Sequence, residues 1–254
     1  MPPLVDPPAR TINLGWTGSR RLRREQPARV ELSKSRRLER RRREEVSMKL
    51  YEFPPTRSIR PRWMLQELEV PFESVWVDLP KGEHRSADFL KLNPAGKVPV
   101  LVDGDVVLNE SVAIVLYLAA KYAEKGFLPG DRKSRAEMDR WLLFTVTELE
   151  QPLWRIAKHT ALLLPARRIP DDVALARQDF EDMAPVLEHH LEHHEFVAGD
   201  RVTAADFVVA YTLDWANENG LLGGFPASTA YMERMYRRPK AALRIREAFK
   251  QIQA

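Results

Sequence analysis

The sequence predicts an α/β unit joined to an all-helical domain. Three features carry this. Short alternating or apolar runs interleave with helical-period segments up to about residue 122, a Gly-Phe-Leu-Pro-Gly-Asp break interrupts the pattern at 126–131, and no convincing strand follows it. Lys49-Leu50-Tyr51-Glu52-Phe53 alternates and stops at Pro54-Pro55, which reads as a first strand. Ile59, Trp63, Leu65, Leu68 and Val70 then keep near-helical spacing, with Pro61 close to the helix start, where its missing N–H costs little. Residues 72–78 alternate again as a second strand, 78–85 is polar and 87–92 suits a short helix. Two more strands, 98–102 and 106–108, flank Asp103-Gly104-Asp105, a strong hairpin cue. The mostly apolar helix 110–122 must lie against the sheet. This order is that of a small α/β sandwich with a mixed sheet. Beyond the break, 135–164, 171–194, 203–219, 227–236 and 239–253 read as helices. The expected division is a tail at 1–47, the α/β domain at 48–124, a linker at 125–133 and the helical domain at 134–254.

Composition narrows the function classes. The 254 residues are 44% hydrophobic and 30% charged, an ordinary globular balance. The absence of Cys excludes disulfides, thiolate metal sites, iron–sulfur clusters and any enzyme whose nucleophile is its own thiol. No apolar run approaches the roughly 20 residues of a membrane span, and no secretory leader is recognisable at the start. The expected setting is cytoplasmic, away from the membrane.

The formal charge of +4 hides an asymmetry: residues 1–47 hold 13 Arg or Lys against six Asp or Glu, and the remainder 27 against 30. The first stretch is Pro-rich, then Arg-dense over 36–43, and cannot bury a core. One reading makes it a basic tail that binds phosphates by counterion release, or a targeting segment, although its acidic residues count against targeting. In the other, 1–47 is translated upstream sequence, because Glu44-Glu45-Val46-Ser47 precedes Met48 much as a purine-rich ribosome-binding site precedes a start codon. Nucleic acid is expected as a partner only if the tail is part of the working protein.

Four segments in order, KLYEFPPTRSIRPRWMLQEL at 49–68, LNPAGKVPVL at 92–101, Asn109-Glu110-Ser111, and FVAGDRVTAADF at 196–207, resemble the cytosolic glutathione S-transferase family. The likeness is to its Ser/Thr-type theta, phi and tau members, and TELEQPLWRIAKHTALL at 147–163 looks like a bacterial subgroup. The resemblance implies a thioredoxin-like βαβαββα domain, then the helical domain, working as a homodimer with glutathione as co-substrate and no cofactor. The activated thiol would attack a hydrophobic electrophile or a peroxide. A non-catalytic binding module of the same fold is the rival reading.

Each motif also has a physical reading. Lys97-Val98-Pro99 suits a cis X-Pro turn, and the resemblance implies that it exposes the Val98 backbone to the cysteinyl part of glutathione, as an added strand would pair. Glu110 and Ser111 stand at a helix N-terminus, which favours a carboxylate. The family assigns Ser111 to the γ-glutamyl carboxylate and Glu110 to its ammonium. His84 and Lys97 are the candidates for the glycyl carboxylate. A hydroxyl aimed at the sulfur from the first helix's N-terminus would lower the thiol pKa, and the loop offers Thr56 and then Ser58. The sequence departs from the family pattern in carrying Pro55 where some classes have their Ser, and Arg57 where beta-class members have Cys. Trp141, Trp154 and His159 are weaker candidates for the electrophile pocket.

Two further signals read as structural. Thr203-Ala204-Ala205-Asp206 has capping-box spacing, with Val202 and Phe207 as the hydrophobic staple, and its cap value is about 0.5–2 kcal/mol. His189, His190, His193 and His194 form two i,i+4 pairs beside an apolar face, and no metal site is expected there.

Overall fold

The computed structural model describes residues 48–253; both readings of 1–47 fall outside the described residues. β1 (Met48–Glu52) lies inside a four-stranded sheet of order β2-β1-β3-β4. β2 (Glu73–Trp76) runs parallel to β1, whereas β3 (Val100–Asp103) and β4 (Val106–Asn109) are antiparallel neighbours. The parallel pair requires a crossover, supplied by α1 (Ile59–Leu68), and the antiparallel pair needs only the turn at Gly104, whose φ is +62°. The strand expected to begin at 98 begins at 100, after a cis Val98–Pro99 bond.

Alternation decides which helices cover which face. Leu50 and Leu101 are register partners on one side and join the main core with α1 and with α3 (Ser111–Lys121). Tyr51 and Val100 point the other way, into a smaller cluster with Val77 and with Phe89 of α2 (Ala87–Leu92). This is the thioredoxin-like layout that the resemblance implies.

The segment 135–164, expected as one helix, is α4 (Arg132–Phe144), a π turn (Thr145–Leu149), α5 (Glu150–Ala157) and a second π turn (Lys158–Leu162). α6 (Pro170–Leu191), α7 (Ala204–Glu218), α8 (Pro226–Tyr236) and α9 (Ile245–Gln253) follow. The last was expected from 239. It starts at Ile245 because the Asp214 carboxylate accepts from the Arg244 guanidinium and the Ile245 N–H, both at 2.8 Å, which holds the preceding residues off the helical path.

α7 is buried throughout 204–214, its few polar groups there being Asp206, Thr212 and Asp214, so it forms the axis of the helical domain. It also packs on α1 and α3, giving one core across both parts. There the Trp63 ring meets Phe207 at 5.4 Å and Tyr236 at 4.6 Å between centroids.

The start of α7 is fixed by Asp206. Its buried carboxylate accepts from the Val197 N–H at 3.0 Å, the Thr203 N–H at 2.7 Å, the Thr203 hydroxyl at 2.9 Å and the Tyr231 hydroxyl at 2.7 Å. The linker carbonyl of Phe127 takes the Ala204 N–H at 2.9 Å. Asp206 is therefore more than a helix cap. Asp206→Ala strands several buried donors and is expected to cost about 3 kcal/mol or more, read as a lower denaturant midpoint in urea unfolding.

Candidate active site

The loop between β1 and α1 places two hydroxyls side by side. Thr56 Oγ1 donates to the Phe53 carbonyl at 2.6 Å and lies 2.9 Å from Ser58 Oγ. Ser58 is fully buried at the α1 N-cap, where it accepts the Phe53 N–H at 3.4 Å. Thr56 is half-buried, so it alone of the pair reaches the solvent side of the loop. The Pro54–Pro55 bond is cis as well.

Across the sheet, Asn93 organises the turn before β3. Its side-chain amide donates to the Lys97 carbonyl at 2.7 Å, and its oxygen accepts the Ala95 N–H at 3.1 Å. The Val98 N–H and C=O have no hydrogen-bond partner among the described residues, which leaves a short stretch of strand-like edge open. Gly96 sits at φ +59°, and a Cβ there would stand 3.0 Å from the His84 carbonyl oxygen. The turn carrying His84 thus abuts the Lys97 loop. Burial pushes the His84 pKa below its ordinary 6.5, with Arg85 adding to the shift, so the ring is neutral at pH 7.

Glu110 precedes α3 at φ +65° and ψ +111°, a sparsely populated conformation that costs about 1–3 kcal/mol. Its side chain is exposed, whereas Ser111 is buried and its hydroxyl accepts from Arg60 Nη1 at 3.2 Å. A strained acid beside a helix N-terminus is an arrangement suited to a bound amino acid's ammonium and carboxylate.

These pieces meet at one carboxylate. Glu150, buried at the start of α5, accepts from Arg57 of the loop and from Arg60 of α1. Arg60 also donates to Thr212 Oγ1 of α7 at 2.8 Å and lies over the Tyr211 ring. Burial lowers the Arg60 pKa to about 9, which still leaves a cation at neutral pH. Arg57 Cζ stands 4.8 Å from the centroid of Trp154 and 5.3 Å from that of Trp215, and Lys97 Nζ is 5.7 Å from that of Trp154. Arg57 and Lys97 thus bring two cations to the tryptophan-lined side of the sheet domain, the candidate cleft.

Residues 46–120 match the model of the glutathione S-transferase N-terminal domain, and residues 156–239 match that of its C-terminal domain. Glutathione S-transferase 3 of Zea mays is 36% identical over 206 residues, covering 76% of this chain and 90% of its own. The chain belongs to the glutathione S-transferase family. The solved glutathione S-transferase from Xylella fastidiosa is 31% identical, with a TM-score of 0.69 over 80% of this chain and 98% of that one. A Phanerochaete chrysosporium glutathione transferase, solved with oxidized glutathione, is 26% identical, with a TM-score of 0.72 over 82% and 98%.

Within this family member, Thr56, Ser58, Val98, Lys97, His84, Glu110 and Ser111 come from the loops and helix ends of the sheet domain, and Trp154 faces them from α5. Trp141 and His159 were the other, weaker candidates for the electrophile pocket, and their described contacts lie elsewhere. Trp141 is 1% exposed and packs against His190 at 4.4 Å and Phe144 at 5.5 Å, which fills the α4–α6 interior. His159 accepts the Ile169 N–H at 3.1 Å and faces Asp172 at 3.2 Å, a tie between the second π turn and α6. His189, Glu192 and His193 bring ligand atoms within 4.8 Å of one another, all exposed.

Sequence reading missed Glu150, Arg60, Thr212 and Trp215. A signal existed for two of them: Arg60 sits beside Ile59 on a core-facing helix, and Glu150 follows the buried Leu149 and precedes the buried Leu153. A charge on a buried face requires a partner. Glu150→Ala leaves Arg60 unpaired in the interior and should lower stability by about 3–5 kcal/mol, measured by chemical denaturation. His84 should titrate below 6.5 by ring-proton NMR. Because folding depresses this pKa, its contribution to stability is present above the unfolded value and falls away as pH drops below it.

Proposed function

We propose that the protein is a glutathione transferase in which Thr56 stabilises the glutathione thiolate. The observation that carries this is the loop geometry. Of the two hydroxyls at the N-terminus of α1, Ser58 is buried, whereas Thr56 is accessible, backed by Ser58 at 2.9 Å and free to turn its proton from the Phe53 carbonyl to a bound sulfur. A hydroxyl donor and the helix N-terminus both favour the charged form of the thiol, lowering its pKa and releasing its proton to water.

The remaining groups position glutathione. The open Val98 backbone pairs with the cysteinyl residue, the Ser111 end of α3 takes the γ-glutamyl carboxylate, and Glu110 takes its ammonium. Lys97 takes the glycyl carboxylate as a cation, and neutral His84 adds one hydrogen bond. The thiolate then attacks an electrophilic carbon: the C–S bond forms, the bond to the leaving group breaks, and the pair departs with that group. The electrophile rests among Trp154, Trp215 and the helical domain, in a homodimer typical of the family. Among the described residues, no helix is long and apolar enough to cross a membrane.

Thr56→Ala is expected to lower kcat by about 10²–10³ and to abolish the ultraviolet absorbance of enzyme-bound thiolate, with glutathione still bound by calorimetry. Thr56→Ser should restore both. Ser58→Ala should chiefly lower stability. Retained thiolate absorbance in Thr56→Ala overturns the assignment, and glutathione binding without any turnover moves the protein to the binding-module reading.

A further inference from the structure

Arg57 holds a charge that the protein uses only in part. Its Nε donates to Glu150, and Nη1 and Nη2 have no hydrogen-bond partner among the described residues. The side chain is 29% exposed. Its position is set from three directions: the loop backbone, the Glu150 carboxylate, and the Trp154 and Trp215 rings near its guanidinium. A guanidinium held in this way keeps the planar fork that matches a carboxylate.

Glu150 is the one carboxylate hydrogen-bonded to this guanidinium among the described residues, and Glu110 acts on it only through space. Glu150 is shared between Arg57 and Arg60, so one carboxylate faces two guanidiniums. Arg60, 1% exposed, is committed to Glu150, Thr212 and Ser111, and cannot reach the cleft. Thr56 and Arg57 are consecutive residues, which puts the fork within a small molecule's length of the proposed sulfur position. The glutathione carboxylates are already matched elsewhere, to the α3 N-terminus and to Lys97. A free anion-binding edge next to the sulfur and against α7 therefore belongs to the second substrate.

We infer that Arg57 sets substrate choice, and that the preferred electrophile carries a carboxylate which pairs with the free edge of the Arg57 guanidinium. The inference rests on the transferase reading above. It narrows the second substrate from an apolar electrophile to an apolar electrophile with one anionic end, held so that its reactive carbon faces the thiolate.

The test uses a matched pair, 4-chloro-3,5-dinitrobenzoate and its methyl ester, which share the reacting carbon and differ in charge. In each, the C–S bond forms, the C–Cl bond breaks and chloride leaves with the bonding pair. The neutral ester activates the ring more strongly than the carboxylate does, so each kcat/KM is divided by that compound's uncatalysed rate with glutathione. In this corrected ratio the full-length protein should favour the acid by about tenfold or more, and Arg57→Gln should bring it to about one. Arg57→Lys, which keeps the charge and the Glu150 partner but not the fork, should fall between. Calorimetry with unreactive 3,5-dinitrobenzoate, in the presence of S-methylglutathione, should show binding that weakens in Arg57→Gln, with circular dichroism confirming the fold of each variant. A corrected acid-to-ester ratio of about one in the unmodified protein overturns the inference and leaves the transferase reading standing. A rise in glutathione KM in Arg57→Gln with an unchanged acid-to-ester ratio also overturns it, because Arg57 then serves glutathione. Turnover of neither compound, with no binding of dinitrobenzoate, overturns both.

Discussion

The pairing of Arg60 with Glu150 is the constraint on which the site depends. Two charges taken out of water are stable only when each meets the other and the remaining polar atoms find partners. Here the helical domain brings the carboxylate and the sheet domain brings the guanidinium, so neither half satisfies its own buried charge. Thr212 adds an acceptor from α7, and Ser111 adds one from α3. Because Ser111 starts α3 and Arg57 flanks Thr56, the same carboxylate, directly and through Arg60, ties the loop after β1 to the N-terminus of α3. The apolar contacts of Trp63 with Phe207 and Tyr236 supply cohesion between the domains. The ion pair supplies their register.

Around this anchor the sheet domain offers backbone and the helical domain offers side chains. The Val98 edge, the α3 N-terminus and the residue before it are features of main-chain geometry, fixed by a cis peptide, by hydrogen bonds from Asn93 and by the positive φ of Glu110. Under the proposed function, such features meet what glutathione always presents: an amide and two carboxylates. Trp154, Trp215 and Arg57 are side-chain features, and under the proposed function they meet the second substrate. On that proposal, the division lets recognition of one substrate stay fixed while the other varies.

Much of the fold was legible because its signals are local. Alternation marked β1 and β2, Asp-Gly marked the β3–β4 turn, and Thr203 with Asp206 marked the start of α7. The loop hydroxyls, the Val98 turn and the Glu110-Ser111 helix start were also findable, as each occupies a few consecutive residues. Glu150 and Arg60 each showed as a charge on a core-facing stretch, but their pairing was not legible, since they are 90 residues apart and nothing in either segment names the other. Trp141 and Trp154 looked alike as helical aromatics, and only the packing of α4 against α6 sends one inward to His190 and leaves the other beside Arg57. The start of α9 escaped for the same reason, because Asp214 acts on it from 31 residues away.

The π turn at Thr145–Leu149 also shaped what could be read, since it divides a segment whose apolar spacing looks continuous. An ordinary helix would carry one phase from α4 into α5. The wider turn inserts a phase offset, so the face that α4 commits to the interior through Trp141 need not be the face that α5 presents through Glu150 and Trp154. It works as a coupling between two shafts: the angle between them can change by the gain or loss of one residue within the turn, while each shaft keeps its own packing. A lineage built on this scaffold could redirect its cleft wall by length at that point as readily as by replacing the side chains that line it.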